Sequence, residues 1–119
     1  MNIEIHERGE IRIAELTADH LLVTTAESGL QLLVDCYYQN FDGIILHEEH
    51  ISDDFFDLKT GLAGEILQKF SNFRVRLVIV GSFDKYPGKS IRDFIIESNQ
   101  GRLINFLSSI TEAKERLFT

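Results

Sequence analysis

Two uninterrupted apolar runs, Ile44-Ile45-Leu46 and Leu77-Val78-Ile79-Val80, constrain the fold of this chain more than any other feature. A strand with one solvated face alternates apolar and polar residues, whereas a strand apolar at every position buries both faces, as parallel strands do beneath helices. Parallel strands cannot be joined by a tight turn and need a crossover connection. The segment between the runs supplies one: it opens with Phe55-Phe56-Asp57-Leu58-Lys59-Thr60-Gly61-Leu62-Ala63-Gly64, and Phe55, Leu58, Leu62, Ile66 and Phe70 recur at helical spacing. Ser52, Asp53 and Asp54 precede this stripe and predict its N-cap.

The remaining elements follow from similar signals. Ile3 and Ile5, then Ile11 and Ile13, alternate with polar residues on either side of Glu7-Arg8-Gly9-Glu10, which predicts an opening hairpin. Ser28 and Gln31 read as a capping-box pair ahead of Leu30, Leu33, Val34, Tyr37 and Phe41, with Asp42-Gly43 as the stop. Ser90 is expected to cap a third helix carrying Ile91, Phe94 and Ile95, ended by Asn99-Gln100-Gly101, and Thr111 to cap a last one burying Ala113 and Leu117. The predicted strands include Val75 to Val80 and Leu103 to Leu107. The expected fold class is α/β: a mixed five-stranded sheet opened by a β-hairpin, with about four helices, in a single domain over residues 1–119.

At 119 residues and 44% hydrophobic content, the chain can bury a substantial core. Its longest apolar run is too short to span a membrane. No basic-then-apolar leader is visible at the N-terminus, and the expected location is cytoplasmic. Cys36 is the sole cysteine and is expected to be a packing residue. The net charge of −7 argues against nucleic acid as a partner, because phosphate-backbone binding needs clustered Lys and Arg. The charge is unevenly distributed along the chain: residues 1–58 hold two basic and thirteen acidic side chains, residues 59–119 ten basic and six acidic. Interleaving of the halves in space is the expected outcome and gives a mixed surface. Without interleaving the molecule has an acidic and a basic edge, suited to self-association or an anionic partner.

Gly81 and Gly88-Lys89-Ser90 stand where a phosphate loop would lie, between a strand and a helix, but six residues separate the glycines instead of the four that curl backbone N–H groups around a phosphate. A turn at Pro87-Gly88 followed by a serine cap accounts for them. His47-Glu48-Glu49-His50 has the composition of a metal set, yet its histidines are three apart beside a strand, where alternation sends neighbours to opposite faces. No metal ligand and no cofactor are assigned, and a solvated acidic loop is expected. Lys89 and Arg92 near the start of the third helix could hold an anion. Gly61 and Gly64 cost a helix about 1 kcal/mol each relative to alanine, and close backbone approach to the sheet or another helix is the expected compensation.

The run Phe55 to Phe70, Phe-Phe-Asp-Leu-Lys-Thr-Gly-Leu-Ala-Gly-Glu-Ile-Leu-Gln-Lys-Phe, resembles a segment of a bacterial family known only as a domain of unknown function. Val80-Gly81, Lys89-Ser90, Arg92-Asp93-Phe94-Ile95 and Glu97-Ser98-Asn99 extend the resemblance over nearly the whole chain. It implies no particular activity. Asp57-Leu58-Lys59-Thr60-Gly61-Leu62 is also similar to the Asp-Ser-Ser-Gly-Leu motif of STAS domains, modules of anti-sigma factor antagonists and sulfate transporters, with one extra residue between Asp57 and Thr60. That resemblance implies a STAS-like fold and a regulatory surface, with Thr60 at the place of the phosphorylated serine.

Every strong signal in the sequence goes to core and caps, and none assembles a catalytic group. The function expected first is therefore a regulatory or protein-interaction module, with a protein partner or a second copy of the chain. The alternative is a small-ligand or anion-binding protein, whether a binder or an enzyme, that uses the strand-end loops 47–52 and 81–90. The candidate residues are His47, Glu48, Thr60, Gly61, Lys89, Ser90 and Arg92.

Overall fold

The computed structural model describes residues 1–119. In chain order the elements are β1 (Asn2–Arg8), β2 (Ile11–Thr17), α1 (Ala26–Tyr38), β3 (Gly43–His47), α2 (Leu62–Phe73), β4 (Arg76–Val80), α3 (Lys89–Gln100), β5 (Ile104–Leu107) and α4 (Ile110–Leu117). The five strands form one mixed sheet in the order β1-β2-β3-β4-β5. β1 and β2 are an antiparallel hairpin, and every later pair is parallel.

Sequential order dictates the layers. Right-handed crossovers between neighbouring strands that always step the same way place their helices on one face. Accordingly Leu32 and Leu33 of α1, Ala63, Ile66 and Phe70 of α2 and Ile91 of α3 share a core with Ala14, Leu16, Ile44, Leu46, Leu77, Ile79 and Phe106. The opposite face has its own smaller core, in which Ala113 and Leu117 of α4 meet Ile13, Ile45, Val78 and Val80. The end of α4 is fixed by Arg76, which donates to the carbonyls of Arg116 at 2.9 Å and Leu117 at 3.2 Å. Ile44, Ile45, Leu77, Val78 and Ile79 are all essentially inaccessible to solvent, as their apolar runs predict for strands covered twice.

The strands of the two halves do not interleave, while α4 of the second half folds back over β2 and β3 of the first. Because spatial order follows chain order, the acidic half supplies the β1 side of the sheet and the basic half the β5 side.

Four helix starts differ from their predicted positions. Thr25, not Ser28, caps α1: its hydroxyl accepts from the Ser28 N–H at 3.1 Å while Ser28 Oγ accepts from the Thr25 N–H at 3.0 Å, so Ser28 is the inner member of the box. The stripe beginning at Phe55 is not one helix. Ser52 caps a single 3₁₀ turn, Asp53–Phe56, and Asp57 starts another, Leu58–Thr60, by accepting from the Lys59 N–H at 3.3 Å. Such local side-chain bonds compete with the helix, and α2 begins only after Gly61, whose φ of +79° ends the turn in a left-handed conformation. Close approach explains neither helix glycine, since a side chain at Gly61 or Gly64 would meet nothing within 4 Å. Gly88 precedes α3 where Ser90 was expected to cap it, and Ser109 caps α4 in place of Thr111 by accepting from Glu112 N–H at 3.1 Å.

Ile79 is fully buried in the larger core at the middle of the sheet. Ile79→Ala is expected to lower the unfolding free energy by about 2–5 kcal/mol, measured by urea denaturation. A loss near zero contradicts the central placement of β4.

Candidate functional site

Parallel strands end together, and the loops leaving them converge on one rim. Here the loop after β3 and the loop after β4 enclose a cleft of about 980 Å³. Asp53, Phe56, Asp57, Leu58 and Lys59 form one wall, and Lys85, Tyr86, Pro87, Gly88, Ser90 and Ile91 the other. An aromatic stack joins the walls: the Tyr86 ring lies 4.3 Å from that of Phe56, with 13° between their planes.

Glu48 holds this arrangement from beneath. It follows directly on β3 and is buried, with 8% of its area exposed. Its carboxylate accepts from the Ser82 N–H at 3.0 Å and from the Tyr86 hydroxyl, and it pairs with Lys85 Nζ at 2.8 Å. Burial alone would raise the carboxyl pKa. The bonds from Lys85, Tyr86 and Ser82 together with the charge of Lys85 outweigh it and hold Glu48 below its ordinary value of 4.5. The Tyr86 hydroxyl is correspondingly pushed up, by burial and by the carboxylate it faces. Gly81 makes room for this contact, because a Cβ there would lie 2.5 Å from both Cβ and Oε1 of Glu48.

The α3 N-terminus opens into the cleft at Gly88, Ser90 and Ile91 without a side-chain cap. The first N–H groups of a helix have no intrahelical acceptor, and the helix dipole makes them a natural anion-binding position. Lys59 adds a positive charge from the other wall, while Lys85 is engaged by Glu48.

The seven residues singled out in the sequence separate into several places. Ser90 lines the cleft and Glu48 underlies it. Thr60 and Gly61 are exposed just beyond Lys59; the Thr60 hydroxyl bonds to the carbonyls of Asp54 at 2.7 Å and Asp57 at 2.9 Å and accepts from the Leu62 N–H at 3.2 Å. Lys89 pairs along α3 with Asp93 at 2.8 Å, and neither it nor the exposed Arg92 lines the cleft. His47 points to the opposite face of the sheet, where its Nε2 lies 2.8 Å from Glu15. The four residues 47–50 do not converge: Glu49 is exposed, and His50 is buried, with its Nε2 accepting from the Ala18 N–H at 3.4 Å.

Sequence reasoning missed Phe56, Lys85 and Tyr86. The residues between Gly81 and Gly88 drew attention as failed phosphate-loop spacing, while their aromatic and cationic side chains carried no periodic signal. It also missed His6, which reads as part of the solvated face of β1, and Glu15, a polar residue on the same face of β2 as the apolar Ile11 and Ile13.

An α/β protein with a sequentially ordered mixed sheet and a strand-end cleft is the class that fold and site define. Residues 8–117 match the family described as Domain of unknown function (DUF4180), and the chain belongs to that family. No curated protein and no solved structure matches it. No helix is long and apolar enough to cross a membrane.

Glu48→Gln removes the charge that Lys85 and Tyr86 surround and is expected to cost about 1–2 kcal/mol at neutral pH. A folded-state pKa below 4.5 means the ionic contribution is complete above about pH 4.5 and lost as pH falls through the lower folded value. The stability gap between wild type and variant should narrow across that acid window in chemical denaturation. A gap independent of pH contradicts the ionised network.

Proposed function

We propose that this protein binds a small carboxylic acid with an apolar body in the strand-end cleft. The observation that carries the reading is the uncapped α3 N-terminus opening beside the Phe56–Tyr86 stack. The helix end and Lys59 provide for one negative charge. The aromatic wall and Ile91 provide for the body of the ligand, in the usual division between a few polar groups and a mostly apolar pocket. Asp53 and Asp57 share the rim and disfavour polyanions, so a singly charged carboxylate fits better than a polyphosphate.

Benzoate is a suitable probe, titrated into ¹⁵N-labelled protein with benzylamine as the cationic control. Saturable shifts of the Phe56–Lys59 and Gly88–Ile91 amides are expected with benzoate only, weakened roughly three- to ten-fold in Lys59→Ala. Equal responses to both probes, or none, count against the reading.

A second reading, the regulatory or protein-interaction module, is favoured by the exposed start of α2. Thr60, Gly61, Gly64 and Glu65 present a surface on which the glycines leave the backbone uncovered. The similarity of Thr60-Gly61-Leu62 to the STAS motif supports it, with Thr60 now before the helix instead of within it. Thr60→Glu removes the hydroxyl bonds that staple the 3₁₀ turn and is expected to cost about 1–2 kcal/mol, leaving a folded protein for partner-binding assays. A melting transition lost altogether would remove Thr60 as a switch position.

A further inference from the structure

We propose that Glu4, His6 and Glu15, with His47 holding the other oxygen of Glu15, form a site for a divalent transition metal of the zinc type. It lies on the face of the sheet that α4 only partly covers, away from the cleft.

Three adjacent strands build the cluster. Glu4 stands directly opposite Glu15 in the β1–β2 register, and His6, two residues on, shares that face. His47 arrives from the end of β3 on the other side of β2. Glu15 has 9% of its side chain exposed, and its two oxygens are each met by one imidazole: Oε1 by His6 Nε2 at 2.9 Å, Oε2 by His47 Nε2 at 2.8 Å. The histidine side chains are themselves 13% and 20% exposed. Glu4 Oε2 lies 4.0 Å from His6 Nε2, and ligand atoms of Glu4, His6 and Glu15 all fall within 4.8 Å of one another.

A carboxylate this deeply buried needs compensation. With both imidazoles neutral, two N–H dipoles compensate a full charge incompletely; a protonated imidazole or a bound cation completes the compensation. A divalent cation held by Glu4, His6 and Glu15 supplies that charge in place of a proton on His6, while His47 keeps its bond to the other Glu15 oxygen. The distances permit it: zinc holds nitrogen at about 2.0–2.1 Å and carboxylate oxygen at about 2.0–2.2 Å, so tetrahedral neighbours lie about 3.3 Å apart. Opening the His6–Glu15 contact by about half an ångström and drawing Glu4 in from 4.0 Å, both within reach of side-chain rotation, admits the ion. Glu4, 71% exposed and free to rotate, is the third ligand, and the fourth position is open to water. An imidazole in the set favours zinc, cobalt or nickel over magnesium or calcium. The carboxylates of Glu4 and Glu15 favour any cation.

The test is calorimetric titration of chelator-treated protein with Zn²⁺, with Co²⁺ absorbance reporting geometry and Mg²⁺ as control. One Zn²⁺ per chain is expected, with tetrahedral Co²⁺ bands and no response to Mg²⁺. His6→Gln and His47→Gln should each weaken Zn²⁺ binding at least ten-fold, and His20→Gln, at an exposed histidine outside the cluster, should leave it unchanged. Glu15→Gln should abolish the Co²⁺ bands; if it fails to fold, the two histidine variants decide alone. Absence of saturable Zn²⁺ binding, or equal affinity in wild type, His6→Gln and His47→Gln, overturns the proposal and leaves a hydrogen-bonded triad. Neither result depends on whether the cleft binds benzoate.

Discussion

The sequential order of the parallel strands is the constraint on which the rest of the molecule depends. Each crossover from β2 to β5 steps to the next position in the same direction, so handedness leaves α1, α2 and α3 no choice of face. One layer is thereby complete, and the other rests on α4, a helix of eight residues. The asymmetry has two consequences. Polar side chains at the β1–β2–β3 side of the thinner face, Glu15 among them, are sheltered without being packed in hydrocarbon. The thinner layer also brings the end of the chain back over its first half, where α4 packs on β2 and β3.

Glu48 shows how a buried charge can organise a site. A lone carboxylate under a sheet end would be costly, but three donors from one loop converge on it, and each is thereby fixed relative to β3. The loop 82–86 is anchored by this carboxylate more than by regular structure, since it belongs to no helix or strand. Tyr86 is held at its hydroxyl by Glu48 and at its ring by Phe56, which fixes the aromatic wall before any ligand arrives. Preorganisation of this kind lowers the ordering cost of binding.

Much of this fold was legible because its strongest signals are set by burial. The runs at Ile44 and Leu77 announced parallel strands, and the alternation around Gly9 announced the hairpin. Helix starts were less legible, for a local reason: Thr25, Ser28, Ser52, Asp57, Ser90, Ser109 and Thr111 are all competent caps, and which one bonds an orphan N–H depends on the direction of entry of the chain. The site was least legible. Phe56 and Phe55 look alike in sequence, yet only Phe56 lines the cleft, because the 3₁₀ turns rotate the stripe away from a helical period. His6, Glu15 and His47 belong to three strands, and their meeting follows from a register that no single segment encodes.

Consecutive residues at the end of β3 serve the two polar centres: His47 turns to Glu15 on one face, and Glu48 turns to Tyr86 and Lys85 beneath the cleft. Alternation at a strand end accounts for the split. The same geometry argues that the centres act independently. Communication between them would require the backbone of Gly43–His47 to move, and that strand is paired on both sides, to β2 and to β4, with four of its five residues buried. A closely packed central strand is among the last parts of a protein to open. Side-chain rotation at His47 can therefore proceed without displacing Glu48, and the two sites share a scaffold without sharing a switch.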